Sequence, residues 1–293
     1  MCTAVYYRGK NHYFGRTLDL EYHYQEEVVV TPRNYPLTWR CGGGLTSHYA
    51  YIGMATMAGE VPLYYDGVNE MGVGVAALRF ADYAHYERER GGAFLCAFEV
   101  LPYLLSQGES ARACVKLLKG IYLADTPFRE DYPTTPLHFL LTDGEESFTV
   151  EPLAKGLTIF QNEVGVLTNA PDFAMQMSHY EGYRHLSPAY RSKGAEGLPG
   201  NWTSQSRFVR GAYLARYMEE GDHNTFFHLM DSLAVPAGSS ITEDGGVTRT
   251  IYTSCCDLDT GDYHYITHRQ RAIGCVSLRE QDLDATTVVR KEL

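Results

Sequence analysis

The sequence lacks the features that mark most easily read classes. Its longest apolar stretch, residues 93–106, is interrupted by Glu99 and falls short of the ~20 residues a membrane-crossing helix needs. Its start, MCTAVYYRGK, has no basic segment followed by an apolar one, the mark of a secretory leader. No Lys/Arg-rich run occurs, and 25 Lys+Arg against 36 Asp+Glu give a formal net charge of -11, which makes nucleic acid a poor partner. The seven cysteines are odd in number and follow no leader, which argues against a disulfide framework. These absences predict a soluble, cytoplasmic protein with no membrane or nucleic-acid partner.

Several chemical signatures are missing as well. No G-x-S-x-G elbow for a serine hydrolase occurs. His264 and His268 have an H-x3-H spacing, but residues 263–268 read as a strand, where four residues span about 13 Å and cannot share one ion. Cys255-Cys256 has no second cysteine pair at metal-site spacing, so two buried thiols are expected. Gly72 to Ala77 mimics a dinucleotide fingerprint but lies within a strand and opens no helix. Neither a metal nor an organic cofactor is expected.

What is present describes an ordinary globular chain. Of its 293 residues 44% are hydrophobic and 21% charged, enough to bury a sizeable core. Aromatics reach 13%, with 23 tyrosines, which suits half-buried pleated surfaces. Short β-branched and aromatic runs predict strands at 2–7, 13–18, 27–31, 49–57 and 73–78, the first two joined by a tight turn at 8–11. Helices are predicted at 94–106 and at 109–121, where Ala111, Cys114, Leu117 and Leu118 form one stripe. Strands follow at 137–141, 148–151, 157–160 and 164–167, then a helix at 173–183 and a surface loop at 186–202. Helices at 204–220 and 224–234 and strands at 249–256, 263–268 and 273–277 complete the chain. No linker or composition break divides residues 1–293, so a single domain is expected. Runs of strands and runs of helices without βαβ alternation argue for an α+β fold.

The sharpest chemical feature is Cys2. Removal of Met1 would leave a thiol and a free α-amine on one residue. An α-amine titrates at about 7.7–8.0, suited to a general base that takes the thiol proton. A cysteine at position two is by itself ordinary. One hairpin downstream, Arg16 and Asp19 in Phe14-Gly15-Arg16-Thr17-Leu18-Asp19 are placed to approach it. A guanidinium there favours the thiolate, and a carboxylate there holds the α-amine; a plain hairpin ion pair is the alternative. Asn169 ends an apolar strand in Leu167-Thr168-Asn169-Ala170-Pro171, where its amide can donate to an oxyanion or merely form an Asx turn. Arg207 falls in the first turn of a predicted helix, where the dipole disfavours a cation without a specific partner.

Together with Asn69-Glu70-Met71-Gly72, Ser206-Arg207-Phe208 and Tyr252-Thr253-Ser254-Cys255, these motifs closely resemble the choloylglycine hydrolase family, from residue 2 to about residue 275. Its members are bile salt hydrolases and penicillin V acylases. The resemblance implies a four-layer αββα sandwich of two mainly antiparallel sheets, the fold of N-terminal nucleophile hydrolases. It also implies Cys2 as nucleophile, Arg16 and Asp19 tuning it, Asn169 as oxyanion donor and Arg207 supporting the site. A second oxyanion donor is implied at the backbone N–H of Arg79. The family usually carries Asn (bile salt hydrolases) or Tyr (penicillin V acylases) at that position. A guanidinium there is expected either to meet the carboxylate or sulfonate of a leaving group or to face solvent. Residues matching the family's acyl pocket are Leu18, Met57, Tyr65, Phe128, Tyr132 and Leu137, apolar or amphipathic as a steroid or phenyl group requires; plain core is the alternative.

The resemblance thus implies hydrolysis of a linear amide, first of glycine- or taurine-conjugated bile acids. Penicillin V, then N-acyl homoserine lactones, are the alternatives, with transfer of the acyl group to an amine and a silent binding protein on the same scaffold as further readings. It also implies a homo-oligomer, tetramer or dimer, although the chain is trimmed around 40–48 and 188–199, the second a loop tied to assembly in relatives.

Overall fold

The chain opens with a tight hairpin. Strand Cys2–Arg8 pairs with His12–Leu20 in the register Cys2↔Leu18 to Arg8↔His12, and the amide of Gly9 donates to the carbonyl of Asn11 in the turn between. The computed structural model describes residues 1–87, 93–189, 194–242 and 245–293. Among them this hairpin lies in a seven-stranded antiparallel sheet ordered Val166–Leu167, Cys2–Arg8, His12–Leu20, Val247–Asp257, Asp262–Thr267, Gly274–Ser277, with Ser240–Ile241 beside Val247–Asp257.

A nine-stranded antiparallel sheet stacks against it. Its order is Gly156–Gln161, Ser147–Leu153, Leu137–Thr142, Gly74–Arg79, Asp66–Asn69, Tyr51–Ala58, Glu26–Thr31, Val289–Glu292, with Val61–Tyr64 beside Tyr51–Ala58. The period of two assigns its faces. Val28, Val30, Ile52, Met54, Ala76, Leu78 and Leu140 join the core shared with the first sheet. Their neighbours Val29, Tyr51, Ala55, Val75, Ala77, Phe139 and Leu141 pack on helices Val100–Gln107 and Ala111–Leu117. Helices Phe173–Glu181, Ser204–Tyr217 and His223–Asp231 cover the far face of the first sheet. The layers therefore run helix, sheet, sheet, helix, the αββα arrangement. No helix among the described residues is long and apolar enough to cross a membrane.

Several predicted elements need correction. Residues 94–106 are not one helix: Ala93–Cys96 is a strand parallel to Ile121–Ala124, a 3-10 turn follows, and the helix begins at Val100. Glu99 makes this break by accepting the amide of Cys96 at 2.8 Å, a bond local to a turn. The next helix covers only Ala111–Leu117, capped by the Ser110 hydroxyl and ended at Gly120, whose φ is +79°. The helices predicted at 204–220 and 224–234 are shorter, and 164–167 holds only the two-residue strand Val166–Leu167. Strands Val61–Tyr64, Asp66–Asn69 and Val289–Glu292 went unread. Residues 190–193 of the predicted loop lie outside the described residues.

Candidate active site

Cys2 heads its strand and is buried on the face shared with the nine-stranded sheet, directly opposite Leu18. Its nitrogen donates to Asn169 Oδ1 at 2.7 Å. Met1 extends the ladder by one residue: its nitrogen donates to the Asp19 carbonyl at 2.6 Å, and its own carbonyl accepts the Asp19 amide at 2.9 Å. The Asp19 carboxylate points elsewhere, accepting from the hydroxyls of Thr250 at 2.6 Å and Thr17 at 3.1 Å. In this chain, which carries Met1, the Cys2 nitrogen is a peptide amide held by the Asn169 side-chain carbonyl, and the Asp19 carboxylate lies away from it. The strand alternation is the reason, since Cys2 and Asp19 fall on opposite faces of the hairpin.

Arg16 lies on the Cys2 face and reaches across to the other sheet. It is fully buried, with Nη1 donating to the carbonyls of Tyr65 (3.0 Å) and Ala77, and Nε to the carbonyl of Thr17 at 3.2 Å. Its Nη2 has no hydrogen-bond partner. Burial alone would lower its pKa, but the surrounding Cys2, Tyr252, Asp66 and Asp19 outweigh that and hold it raised. Asp66 is the buried carboxylate of this interior. It accepts from Tyr263 at 2.5 Å, Ser254 at 2.7 Å and Tyr252 at 3.1 Å, and Ser254 Oγ in turn accepts the Arg16 amide at 3.1 Å. Burial pushes the Asp66 carboxyl up, while Arg16 and the hydroxyl donors pull it down.

Arg207 supplies the second buried guanidinium, from the first turn of Ser204–Tyr217. It donates to the Cys2 carbonyl, to Thr3 Oγ1, to Asn169 Oδ1 at 2.9 Å and to the Trp202 carbonyl at 3.0 Å. These acceptors account for a cation at a position the helix dipole disfavours. Burial lowers its pKa, against the opposing pull of Asp19 and Cys2.

Asn169 is gripped from all sides. Ser204 Oγ accepts its amide at 3.0 Å and donates to its carbonyl at 2.8 Å, and Gln176 Nε2 donates to that carbonyl at 3.1 Å. Its Nδ2 donates to the Arg79 carbonyl at 2.8 Å. An amide nitrogen carries two hydrogens, so one remains for another acceptor. The Ala77 amide donates to the Tyr65 carbonyl at 2.9 Å, and the Phe80 amide points the other way, to the Pro136 carbonyl at 2.8 Å. By strand alternation the Arg79 N–H faces the Tyr65 side, beyond the last paired residue of Asp66–Asn69. The Arg79 carbonyl is the one that meets Asn169 Nδ2, and residue 79 is exposed.

The six expected pocket residues divide. Leu18 lies beside Cys2, and Tyr65 lies by Arg16 with its hydroxyl 2.8 Å from Thr56 Oγ1. Leu137 pairs with Arg79 but packs, like Met57, on the outer apolar core. Phe128 and Tyr132 have one another as neighbours, with ring centroids 6.1 Å apart, and Phe128 also meets Phe98 at 5.3 Å. Cys255 and Cys256 are buried, and burial pushes both thiols up. Among the described residues no group of three or more His, Cys, Asp or Glu is placed to hold a metal ion.

Sequence reasoning missed Asp66, Ser204, Gln176 and the buried pair His138–Glu151. For His138 and Glu151 a signal existed: an ionisable residue at an inward position of an otherwise apolar strand, as in Leu137-His138-Phe139-Leu140.

A family model described as linear amide C–N hydrolases, choloylglycine hydrolase family, matches residues 2–291. The chain is 40% identical to the bile salt hydrolase/transferase of Lactiplantibacillus plantarum, over 99% of this chain and 96% of that protein. The crystal structure of the mutant C2A conjugated bile acid hydrolase from Clostridium perfringens superimposes with a TM-score of 0.94 at 30% identity, covering 100% of this chain and 97% of that one. Penicillin V acylase from Agrobacterium tumefaciens gives a TM-score of 0.84 at 20% identity, over 99% and 90%, a likeness of fold alone.

Proposed function

The chain belongs to the choloylglycine hydrolase family of linear amide C–N hydrolases, and from that premise we propose that it cleaves the amide joining a bile acid to glycine or taurine, with Cys2 as nucleophile. The observation that carries this reading is the double use of Asn169. Its Oδ1 takes the Cys2 nitrogen at 2.7 Å and its Nδ2 lies 2.8 Å from the Arg79 carbonyl, so one side chain joins the nucleophile to the strand end that offers a second donor.

In this account Met1 is removed and the Cys2 nitrogen becomes an amine on Asn169 Oδ1. The amine takes the thiol proton, and the thiolate attacks the carbonyl carbon of the substrate amide. The spare hydrogen of Asn169 Nδ2 and the Arg79 N–H meet the oxyanion. The protonated amine gives its proton to the leaving nitrogen, so the C–N bond breaks and glycine or taurine departs. Water then cleaves the thioester, releasing the bile acid and restoring the thiol. Arg16 lends its positive field to the thiolate, Arg207 fixes the Cys2 carbonyl and Asn169, and Asp19 holds the strand end through Thr17 and Thr250. Leu18 and Tyr65 form the near wall of the acyl site, with Phe128 and Tyr132 as its outer part, whereas Met57 and Leu137 belong to the outer apolar core. Residues 1–293 act as one unit in the cytoplasm, assembled as a homo-oligomer, tetramer or dimer.

The test is release of glycine from glycocholate by wild-type protein and the Cys2→Ala variant, with penicillin V run in parallel. The reading predicts glycine release that disappears with the thiol. Release of phenoxyacetate without glycine would move the assignment to a penicillin V acylase, and product acylated on an added amine would make acyl transfer part of the activity. Turnover surviving in Cys2→Ala would sink the nucleophile.

A further inference from the structure

His138 and Glu151 face each other in a cross-strand pair one step beyond Phe139↔Val150, and both are fully buried. Charged groups are rarely buried so deeply unless each finds a partner, and here every contact leads toward the active site. His138 Nδ1 lies 3.0 Å from Glu151 Oε1, and Nε2 lies 2.7 Å from the carbonyl oxygen of Thr168, the residue before Asn169. Glu151 accepts the amide of Phe173 at 3.0 and 3.1 Å, which anchors the start of the helix four residues after Asn169. Phe80, the residue after Arg79, stacks on the imidazole with ring centroids 4.1 Å apart and planes within 10°. His138 thus touches both chain segments that carry the oxyanion donors named above, and it touches neither donor atom itself.

We propose that His138, held by Glu151, is a positioning residue that sets the spacing between Asn169 Nδ2 and the Arg79 N–H. The imidazole fastens Thr168 by a hydrogen bond and Phe80 by stacking, so the two donors are registered through one rigid ring. The inference rests on the Cys2 reading but concerns a different step. The ring touches neither the thiol nor the Cys2 nitrogen; that nitrogen is reached only through Asn169 Oδ1, so the ring bears first on oxyanion binding and only slightly on thiol activation.

That separation supplies the test. In the His138→Gln variant, kcat on glycocholate should fall on the order of 10- to 100-fold with KM within about twofold, because displaced donors weaken binding of the transition state and spare that of the ground state. Alkylation of Cys2 by iodoacetamide forms no oxyanion, and its rate should stay within about twofold of wild type. Phe80→Leu leaves the buried pair in place and removes only the stacked ring. It should show the same pattern with a smaller loss, and it carries the test if His138→Gln does not fold. Wild-type kcat in either folded variant overturns the proposal, as does a parallel fall of kcat and alkylation rate. Cys2→Ala measured alongside keeps the two ideas apart: activity there defeats the nucleophile, whereas an inactive Cys2→Ala beside an unimpaired His138→Gln defeats only the positioning role.

Discussion

On its outer face the nine-stranded sheet meets helices Val100–Gln107 and Ala111–Leu117 through Val29, Tyr51, Val75, Leu101, Leu104 and Phe139, a mainly apolar layer in which buried Asn69 ties the carbonyls of Leu105 and Gly108. On its inner face the same strands meet the other sheet through Val28, Ile52 and Leu78, but also through Asp66 and His138, with Arg16 reaching in from the opposite sheet. Apolar contact is non-directional and holds the sheet to its helices whatever the details of packing. Buried charges are costly to bury and fix atoms only where every partner is in place. The outer layer therefore secures the fold, and the inner layer fixes the positions of reacting groups.

Substitutions should separate the two layers. Asn169→Ala, at the inner layer's edge, should lower kcat on glycocholate by about 10²–10³-fold, read from initial rates. A loss under about fivefold would remove Asn169 from the oxyanion site.

Asp66→Asn comes next. It removes the carboxylate balancing Arg16 and should lower kcat/KM on the order of 10- to 100-fold through misplacement of the guanidinium. It also has a pH signature. Burial raises the Asp66 pKa above the ordinary 3.8, so the folded state holds that proton more tightly than the unfolded chain. The contribution of Asp66 to stability is complete below the ordinary value and is lost as pH rises through the raised one. The urea midpoint of wild type relative to Asp66→Asn should therefore fall as pH climbs from about 4, then level off. A constant difference across that window would contradict the buried carboxylate.

A smaller effect is expected at Arg79, whose side chain is exposed. Arg79→Asn should shift the ratio of glycine- to taurine-conjugate turnover by no more than about fivefold, since screened surface charges contribute little. The smallest effect on turnover belongs to the outer layer. Leu104→Ala should cost about 2–5 kcal/mol of stability in urea melts yet leave kcat within about twofold. A large kcat loss there would erase the distinction between the layers.

The sequence made the N-terminal hairpin legible because its strands and turn carry their own local signals. The helix Ser204–Tyr217 was found, and Cys2, Arg16, Asn169 and Arg207 were singled out. The structure places Asn169 and Arg207 in hydrogen-bond contact with Cys2 and Arg16 on its face. What stayed hidden depends on distant partners. Glu99 aside, the run at 94–106 is largely apolar, so periodicity cannot divide it, and the break comes with the Glu99 hydrogen bond to the Cys96 amide. Strand Val289–Glu292 is an exposed edge defined only by pairing with Glu26–Thr31. Asp66 sits in the short strand Asp66–Asn69, which received no reading, and its meaning arises from Tyr252, Ser254 and Tyr263, nearly two hundred residues away. Proximity along a hairpin does not settle which face a side chain takes, so the direction of the Asp19 carboxylate, toward Thr17 and Thr250, was not legible.

The central claim is that a free Cys2 amine and thiol perform the chemistry. Intact-mass measurement combined with glycocholate turnover tests it most directly, on wild-type protein and on protein made to retain Met1, which holds the Cys2 nitrogen in a peptide bond. The account predicts that activity tracks the fraction of chains beginning at Cys2 and vanishes when Met1 remains. Full activity in chains that retain Met1 would contradict it.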